Sequence, residues 1–287
     1  MVRMIILKFI KYGAVILGTS LLLSACSSNG SSEANKEKVE FANVMSKGKQ
    51  VTFRVDANEE ETYAPNKDNP IDAYIFSDNG KVTVYNATDD TKLKDMKDKS
   101  YDDILELAKK QDKKRFENNK SDNEKDIENV LDTDKSNYED SIRTRGKKSE
   151  ITKDYKKMME TTQKKYEKYK NLKYEEPKQR DLKIGVVEDG SGNDTKEERF
   201  YTTPDGFDGQ EDEFIHDPEK LNKDYKYVMR SSGEIVEIYD DKYAYLDTDQ
   251  EGEDRSYLVT KVGDKAKESA LDKPDNKNVK VEEDDDE

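Results

Sequence analysis

The hydrophobic pattern of this chain changes its period twice, and that change limits the folds it can adopt. From residue 39 to residue 87 apolar side chains alternate with polar ones, most clearly in residues 50–55. Between residues 100 and 174 they recur every three to four positions, and from residue 180 to 262 they alternate again. A period of two indicates half-buried strands, and a period near 3.6 indicates amphipathic helices. We therefore predict an α+β fold with a small N-terminal β unit, a helical middle and a C-terminal antiparallel sheet.

Two local motifs mark where these elements begin and turn. Asn79-Gly80 lies between two β-rich runs, which predicts a tight hairpin because both turn positions need a positive φ. Ser100 followed by Asp103 resembles a capping box, with Asp in place of the usual Glu, and predicts a helix start.

The helical middle is predicted in two parts. Residues 119–148 suggest a weak amphipathic helix that is interrupted at residues 132–136 and ended by Gly146. Residues 149–174 form a clearer helix that Pro177 stops. Both a bundle and a coiled-coil-like hairpin stay open. The second helix could dock a partner, or it could pack its own apolar stripe on the protein. That predicted stripe is Ile151, Tyr155, Met158, Thr162, Tyr166, Tyr169 and Leu172.

The whole chain divides into six predicted segments. The two β regions could form two small domains or one sheet with a helical insertion. The segments are a signal peptide (1–25), a lipidated Cys with a flexible tether (26–38), a β-hairpin and helix unit (39–118), a helical middle (119–176), an antiparallel β domain (177–272) and a disordered acidic tail (273–287).

Composition restricts the partners. Charged residues make up 41% of the chain and hydrophobic ones 32%, which predicts a modest core with long solvated helices. The formal net charge is −15, and it becomes −18 without residues 1–25, which carry three basic residues and no acidic ones. A net acidic surface argues against nucleic acid as a partner. It argues equally against adhesion to anionic lipid or to anionic wall polymer through a broad cationic patch. A small-molecule ligand is not expected.

The N-terminus reads as a secretory signal. Arg3, Lys8 and Lys11 precede an uncharged, largely apolar run over residues 12–23, which is too short to span a membrane. The run ends in Leu-Ser-Ala-Cys, at residues 23–26.

Leu-Ser-Ala-Cys resembles the lipobox of lipoproteins of low-GC Gram-positive bacteria. The resemblance implies cleavage between Ala25 and Cys26 and a diacylglycerol on the Cys26 sulfur. It also implies a location on the outer face of the cell membrane. Cys26 is the only Cys, so lipidation leaves no thiol for disulfides, zinc or nucleophilic catalysis. The alternative is an ordinary buried thiol in a signal-anchor. The cleaved tail, residues 18–25, also resembles secreted peptide pheromones that induce plasmid transfer.

One acidic stretch resembles half of a calcium loop. Asp247, Asp249, Glu251 and Gly252 match the first four requirements of an EF-hand loop. Leu258 stands at the twelfth position, where the bidentate Glu is needed. An acidic hairpin loop is the competing interpretation, and weak calcium binding stays open. We nominate no metal or cofactor site beyond the covalent lipid.

No catalytic residue is nominated. His216 is the only His, so a multi-His metal site is excluded, and Asp217 beside it could at most orient a general base. The Gly-rich stretch at residues 189–192 lacks the order of a phosphate loop.

For the mature part, the runs at residues 79–85, 238–239 and 258–261 resemble uncharacterised surface lipoproteins of low-GC Gram-positive bacteria, including those of the TraH type in plasmid-transfer regions. We expect a non-enzymatic, membrane-anchored interaction or accessory module with a protein partner at the cell surface. The alternatives are a solute-binding lipoprotein of a transporter and a cell-wall-modifying enzyme.

Overall fold

The computed structural model describes residues 31–57, 64–88, 90–202, 225–249 and 255–284. The helices are α1 (Phe41–Ser46), α2 (Tyr101–Arg145) and α3 (Glu150–Lys170), with short 3₁₀ turns at Ser32–Asn35 and Leu93–Met96. The strands are β1 (Lys38–Glu40), β2 (Lys49–Asp56), β3 (Ile71–Asp78), β4 (Lys81–Asn86), β5 (Arg180–Asp181), β6 (Lys183–Glu188), β7 (Thr195–Thr202), β8 (Tyr225–Met229), β9 (Ser231–Ser232), β10 (Val236–Ile238), β11 (Asp241–Asp247), β12 (Ser256–Val262), β13 (Glu268–Ala270) and β14 (Lys280–Glu282).

The predicted α+β class is confirmed, and the two β regions share one main sheet. Its order is β10-β11-β12-β2-β3-β4-β5, with β9 beside β11. The junction is the antiparallel pair of β12 and β2, in which Val259 lies opposite Phe53. The helices α2 and α3 are thus an insertion between β4 and β5.

A second sheet has the order β14-β6-β7-β8, and its β14 and β6 run parallel. A third pairing joins β1 and β13, also in parallel. Each of these parallel pairs brings a terminal segment of the described chain next to a strand that is distant in sequence.

The main sheet is covered on both faces, because its strands alternate side chains between two cores. Ile75 and Leu258 face α1 and the second sheet, from which Phe200 contributes. Tyr74 and Val259 belong to the opposite core, which the first turns of α2 cover.

Both local motifs form as predicted. Asn79 and Gly80 have φ values of 49° and 79°, and the turn pairs Asp78 with Lys81. Ser100 Oγ accepts a hydrogen bond from Asp103 N at 3.2 Å, and Asp103 Oδ2 accepts one from Ser100 N at 3.1 Å. These reciprocal bonds satisfy two free donors at the start of α2.

The helical middle differs from its prediction. No interruption occurs at residues 132–136, because α2 is one helix of 45 residues. The predicted segment boundary at residue 118 therefore falls inside it. Asp134 is a poor helix former in isolation, but its carboxylate is buried against Thr162 of α3. This contact replaces the turn that local propensity favours.

Two predicted disordered segments are ordered in their described parts. Residues 31–38 do not form a flexible tether: Glu33 is buried and pairs with Lys47 at 2.6 Å. Residues 273–284 do not form a disordered tail, because Lys280–Glu282 is β14. Long-range strand pairing orders both segments despite their polar composition, and ion pairs with one buried partner support it.

Candidate interaction surface

The most prominent surface is a helical hairpin that extends beyond the main sheet. Contacts of α2 with the sheet continue as far as Arg115, whose Nη1 lies 3.3 Å from Asp72 Oδ1. From there α2 packs against α3. We call residues 117–170 the arm, and residues 143–149 its tip. At 1.5 Å per residue the part of α2 in the arm extends about 43 Å.

Hydrogen bonds hold the root of the arm against the body. Asp112 Oδ1 accepts from the backbone N–H of Asn86 at 2.9 Å, and its Oδ2 accepts from Tyr174 Oη at 2.8 Å. Burial raises the pKa of the Asp112 carboxyl. One residue earlier in α2, Gln111 Oε1 accepts a hydrogen bond from Tyr74 Oη at 2.8 Å. The Asp112 carboxylate therefore ties α2 both to the end of β4 and to the chain that returns from α3.

The two helices of the arm meet along a partly polar seam. Ser141 Oγ and Thr152 Oγ1 lie 2.7 Å apart, and Thr162 Oγ1 donates to Asp134 Oδ2 at 2.6 Å. Spacing by three and four residues is that of a coiled-coil hairpin, one of the two predicted forms of the helical middle. The buried and half-buried residues of α3 on this seam are Thr152, Tyr155, Met159, Thr162, Tyr166 and Tyr169.

The predicted apolar stripe of α3 is wrong at two positions. Ile151 is 44% exposed and Met158 is 53% exposed, and the side chains that enter the seam are those of the next residues, Thr152 and Met159. Apolarity alone favoured Ile151 over Thr152, but Thr152 can bond to Ser141 across the seam. The helix thus packs on its own chain and leaves two large apolar side chains outside.

These exposed side chains lie on one side of the arm together with Val130, which is 53% exposed. Each of the three directly precedes a seam residue in the sequence. The three seam residues that follow them occupy the same position of the heptad. In an antiparallel helix pair such positions flank the same side of the seam. Ile151 and Met158 are two turns apart, about 10 Å. We call Val130, Ile151 and Met158 the apolar edge.

The arm and residues 31–38, which we call the N-terminal segment, lie at opposite ends of the main sheet. Ala34 accepts from Gly263 N at 3.0 Å, and Gly80 N donates to Met45 O at 3.2 Å, which places the first described residues at one end. The helix α2 starts at this end, where Tyr101 packs on Phe76. It leaves the sheet at the other end, so its full length of about 68 Å separates the tip from the N-terminal segment.

Charge is divided unevenly along the arm, because the part of α2 in the arm is acidic and the tip and α3 are basic. Residues 143–173 contain twelve basic and four acidic residues, a net charge of +8, although the chain as a whole carries −15. The net charge of the whole chain conceals this segment, whereas a running sum of charge along the sequence would have found it. The basic side chains are exposed apart from the half-buried Lys165, and they are Arg143, Arg145, Lys147, Lys148, Lys153, Lys156, Lys157, Lys164, Lys165, Lys168, Lys170 and Lys173.

A second unusual group is a pair of buried carboxyls between the sheets. Glu198 and Asp272 are both fully buried, and Asp272 N donates to Glu198 Oε2 at 2.8 Å. Asp272 Oδ2 also accepts from Ala42 N at 2.7 Å. Burial raises the pKa of Glu198 well above its ordinary value, and burial raises that of Asp272 to about 6. No local sequence pattern points to this pair, because its two members are 74 residues apart in the chain.

Several residues singled out from the sequence lie outside the described residues. These are Ala25, Cys26, His216, Asp217, Glu251 and Gly252. Of the calcium-loop residues, Asp247 is buried and its carboxylate is held by Arg255, whose Nε lies 3.2 Å from both oxygens. Within the described ranges, no group of three or more His, Cys, Asp or Glu side chains could hold a metal ion.

An open hollow of about 450 Å³ lies between the first turns of α2 and the segment that follows β4. Its lining mixes opposite charges, including Asp90, Asp95, Lys110 and Lys114. Of the helices that the structure describes, none combines the length and apolarity needed to cross a membrane.

Comparison with protein-family models, with curated proteins and with solved structures finds no match to this chain.

Proposed function

We propose that this protein is a lipid-anchored, non-enzymatic interaction module on the outer face of a bacterial cell membrane. In this proposal Cys26 carries the lipid after cleavage behind Ala25. Two acyl chains make such anchoring stable, where one would be marginal. The module would serve as an accessory component of a cell-surface assembly, with conjugative transfer as the example that the sequence resemblance offers.

The observation that carries this proposal is the placement of the arm opposite the N-terminal segment. Five residue steps separate Cys26 from Ser31, which can span at most about 18 Å. The end of the sheet near Ala34 would therefore lie close to the membrane. The arm would then point away from it and hold its tip about 68 Å farther out. An enzyme has no need of such a spacer, whereas a protein that reaches a partner does.

The apolar edge is the part of the arm that best fits a protein partner. Val130, Ile151 and Met158 expose large apolar side chains on a surface that is otherwise strongly charged. Apolar side chains surrounded by polar ones are the usual centre of a protein–protein contact. The edge is narrow, which fits an accessory contact better than an obligate one.

Crosslinking and pull-down of the full-length lipoprotein from native membranes tests this function. We expect a set of surface proteins to be captured by the wild type. The variant Val130→Ser, Ile151→Ser and Met158→Ser should lose that set. The matched control replaces three residues on the opposite side of the seam, Glu128→Ser, Lys135→Ser and Gln163→Ser, and should retain it.

Two results would contradict the proposal. Recovery of transporter permease subunits would favour a solute-binding lipoprotein instead. Capture that is equal for the wild type and the apolar-edge variant would remove the arm as the contact surface. The anchor is tested separately, because Cys26→Ser should release the protein from membranes into the medium.

A further inference from the structure

The tip of the arm concentrates positive charge at the point farthest from the N-terminal segment. Arg143, Arg145, Lys147 and Lys148 lie within six positions, and all four are exposed. Arg143 pairs with Asp140 in the preceding turn. The other three side chains form no ion pair with a carboxylate of the described residues, so most of the charge at the tip is not neutralised.

The positive surface continues from the tip along α3. Lys153 pairs with Glu150 at 2.5 Å, and Lys156 pairs with Glu160 at 3.3 Å. Further along, exposed Lys157, Lys164 and Lys168 form no such pair with any carboxylate in the described ranges. With 21 residues, α3 extends this surface over about 31 Å.

The composition of this surface fits a flexible polyanion better than a folded protein. Ten of its twelve basic residues are Lys, which binds phosphate as a point charge without demanding a fixed geometry. A protein interface needs a buried apolar or aromatic centre. The tip supplies only Ile151 nearby, and that residue belongs to the apolar edge.

The arm also lacks the exposed aromatic side chains that binding of single-stranded nucleic acid requires. Proteins that hold single strands stack successive bases on aromatic side chains. The aromatic residues of the arm are Tyr138, Tyr155, Tyr166 and Tyr169, and all four are buried or half-buried. The surface therefore offers charge for a backbone of phosphates but no platform for bases.

We propose that the tip of the arm and the adjoining basic face of α3 bind a flexible phosphodiester polymer that carries no bases. This surface is distinct from the apolar edge, so the inference goes beyond the proposed function and can fail without it. The net acidity of the chain had argued against any polyanionic partner. Residues 117–142 of α2, which pack against α3, carry nine acidic and three basic residues, whereas the tip carries four basic residues and no acidic one. The tip lies at the end of the arm, beyond most of these acidic residues, and the unpaired Lys157, Lys164 and Lys168 of α3 are exposed and lie off the seam. Because charges farther away than a Debye length of about 8 Å are largely screened, the local positive charge decides what these surfaces attract.

Fluorescence anisotropy with labelled poly(glycerol phosphate) tests this inference on the full-length lipoprotein in non-ionic detergent. The test variant carries Arg143→Gln, Arg145→Gln, Lys147→Gln and Lys148→Gln. The matched control carries Lys38→Gln, Lys99→Gln, Lys265→Gln and Lys277→Gln, which removes the same charge from exposed sites on the body. Far-UV circular dichroism checks that both variants fold.

We expect the wild type to bind at about 50 mM salt, with an affinity that falls linearly on a double-logarithmic salt plot. The tip variant should bind at least tenfold more weakly, and its salt slope should drop by as much as about 3, at about 0.7 per lost phosphate contact. The control should keep the wild-type affinity and slope.

Three outcomes would overturn the inference. The wild type could fail to bind the polymer at low salt, or the control could lose as much affinity as the tip variant. Equal or tighter binding of oligothymidylate or poly-glutamate with the same number of charges would assign the surface to nucleic acid or to an acidic protein. Because the pull-down that tests the proposed function uses the apolar-edge variant, none of these outcomes contradicts the proposed function.

Discussion

Glu198 and Asp272 lie against each other in the protein interior without a cation to neutralise them. Among the described residues, neither carboxyl forms an ion pair with a Lys or Arg. The remaining charged neighbour, Glu40, adds a further negative charge. Two buried carboxylates in contact repel each other strongly, so the pair retains a proton that exposed carboxyls would lose. This proton lies where β7 meets the segment leading to β14.

The pair should make stability depend on pH in a direction opposite to that of ordinary ion-paired carboxylates. The folded-state pKa values are raised, so the folded protein binds protons more tightly than the unfolded chain. The stabilising contribution is complete below about pH 4, where the unfolded chain is protonated too. It is lost as the pH rises through the folded-state pKa, which is about 6 for Asp272. The slope is at most about 1.4 kcal/mol per pH unit for each proton.

Glu198→Gln tests this dependence, because an amide cannot ionise and its NH₂ can donate to Asp272. We expect the variant to be more stable than the wild type at pH 8 by about 1 kcal/mol or more, and the difference to shrink at pH 5. Urea denaturation followed by circular dichroism measures both. Glu188→Gln, at an exposed position on β6, should leave the pH dependence unchanged. A Glu198→Gln variant that is destabilised equally at both pH values would show that the carboxyls share no proton.

The root of the arm depends on Asp112. Asp112→Ala removes the acceptor for Asn86 N and Tyr174 Oη and leaves both donors without that partner at a partly buried site. We expect a loss of about 1–3 kcal/mol in the free energy of unfolding. The neighbouring Lys113→Ala, at an exposed site, should change it by less than about 0.5 kcal/mol. Thermal unfolding followed by circular dichroism compares them, and equal effects would argue against this anchoring role.

The seam of the arm contains a buried charge whose partner can be removed. Thr162→Val leaves the buried carboxylate of Asp134 without its hydrogen-bond donor, and we expect it to cost about 1.5–3 kcal/mol. Asp134→Leu combined with Thr162→Val replaces both polar partners and should recover most of that loss. A urea-denaturation double-mutant cycle measures the coupling, with the exposed Thr161→Val as the control. A double variant less stable than either single variant would contradict this account.

Local sequence predicted those features whose causes are local. Alternation placed the strands, and Asn79-Gly80 placed the hairpin because its positive φ values suit those residues. The capping box at Ser100 was equally readable, since both of its bonds join residues three positions apart. These elements needed no knowledge of the rest of the fold.

The missed features depend on residues that are distant in sequence. The helix α2 continues through Asp134 only because Thr162 meets it from α3. The acidic C-terminal segment is ordered because β14 pairs with β6, about 95 residues earlier in the chain. The seam of α3 is one residue out of phase with its most apolar side chains, because Thr152 bonds to Ser141. The basic segment could have been found from the local sequence, but its placement at the tip of the arm depends on the packing of α2 against α3.

The order of the C-terminal segment can be tested through a glycine beneath it. A Cβ at Gly185 of β6 would come within 2.5 Å of the Glu282 carboxyl carbon. Glu282 accepts from Tyr201 Oη and lies 3.6 Å from Nη1 of the buried Arg199. Gly185→Ala should therefore displace Glu282 and weaken both contacts, at a cost of about 1–2 kcal/mol.

Gly190→Ala is the matched control for this substitution, because a Cβ there has no heavy atom within 4 Å. It should be neutral or slightly stabilising, since it reduces the freedom of the unfolded chain. Urea denaturation measures stability, and hydrogen exchange at the Val281 and Glu282 amides reports on β14 directly. Gly185→Ala should increase exchange at these amides, while Gly190→Ala should not. Fast exchange at β14 in the wild type would instead mean that the acidic segment is unpaired in solution, as its composition alone had suggested.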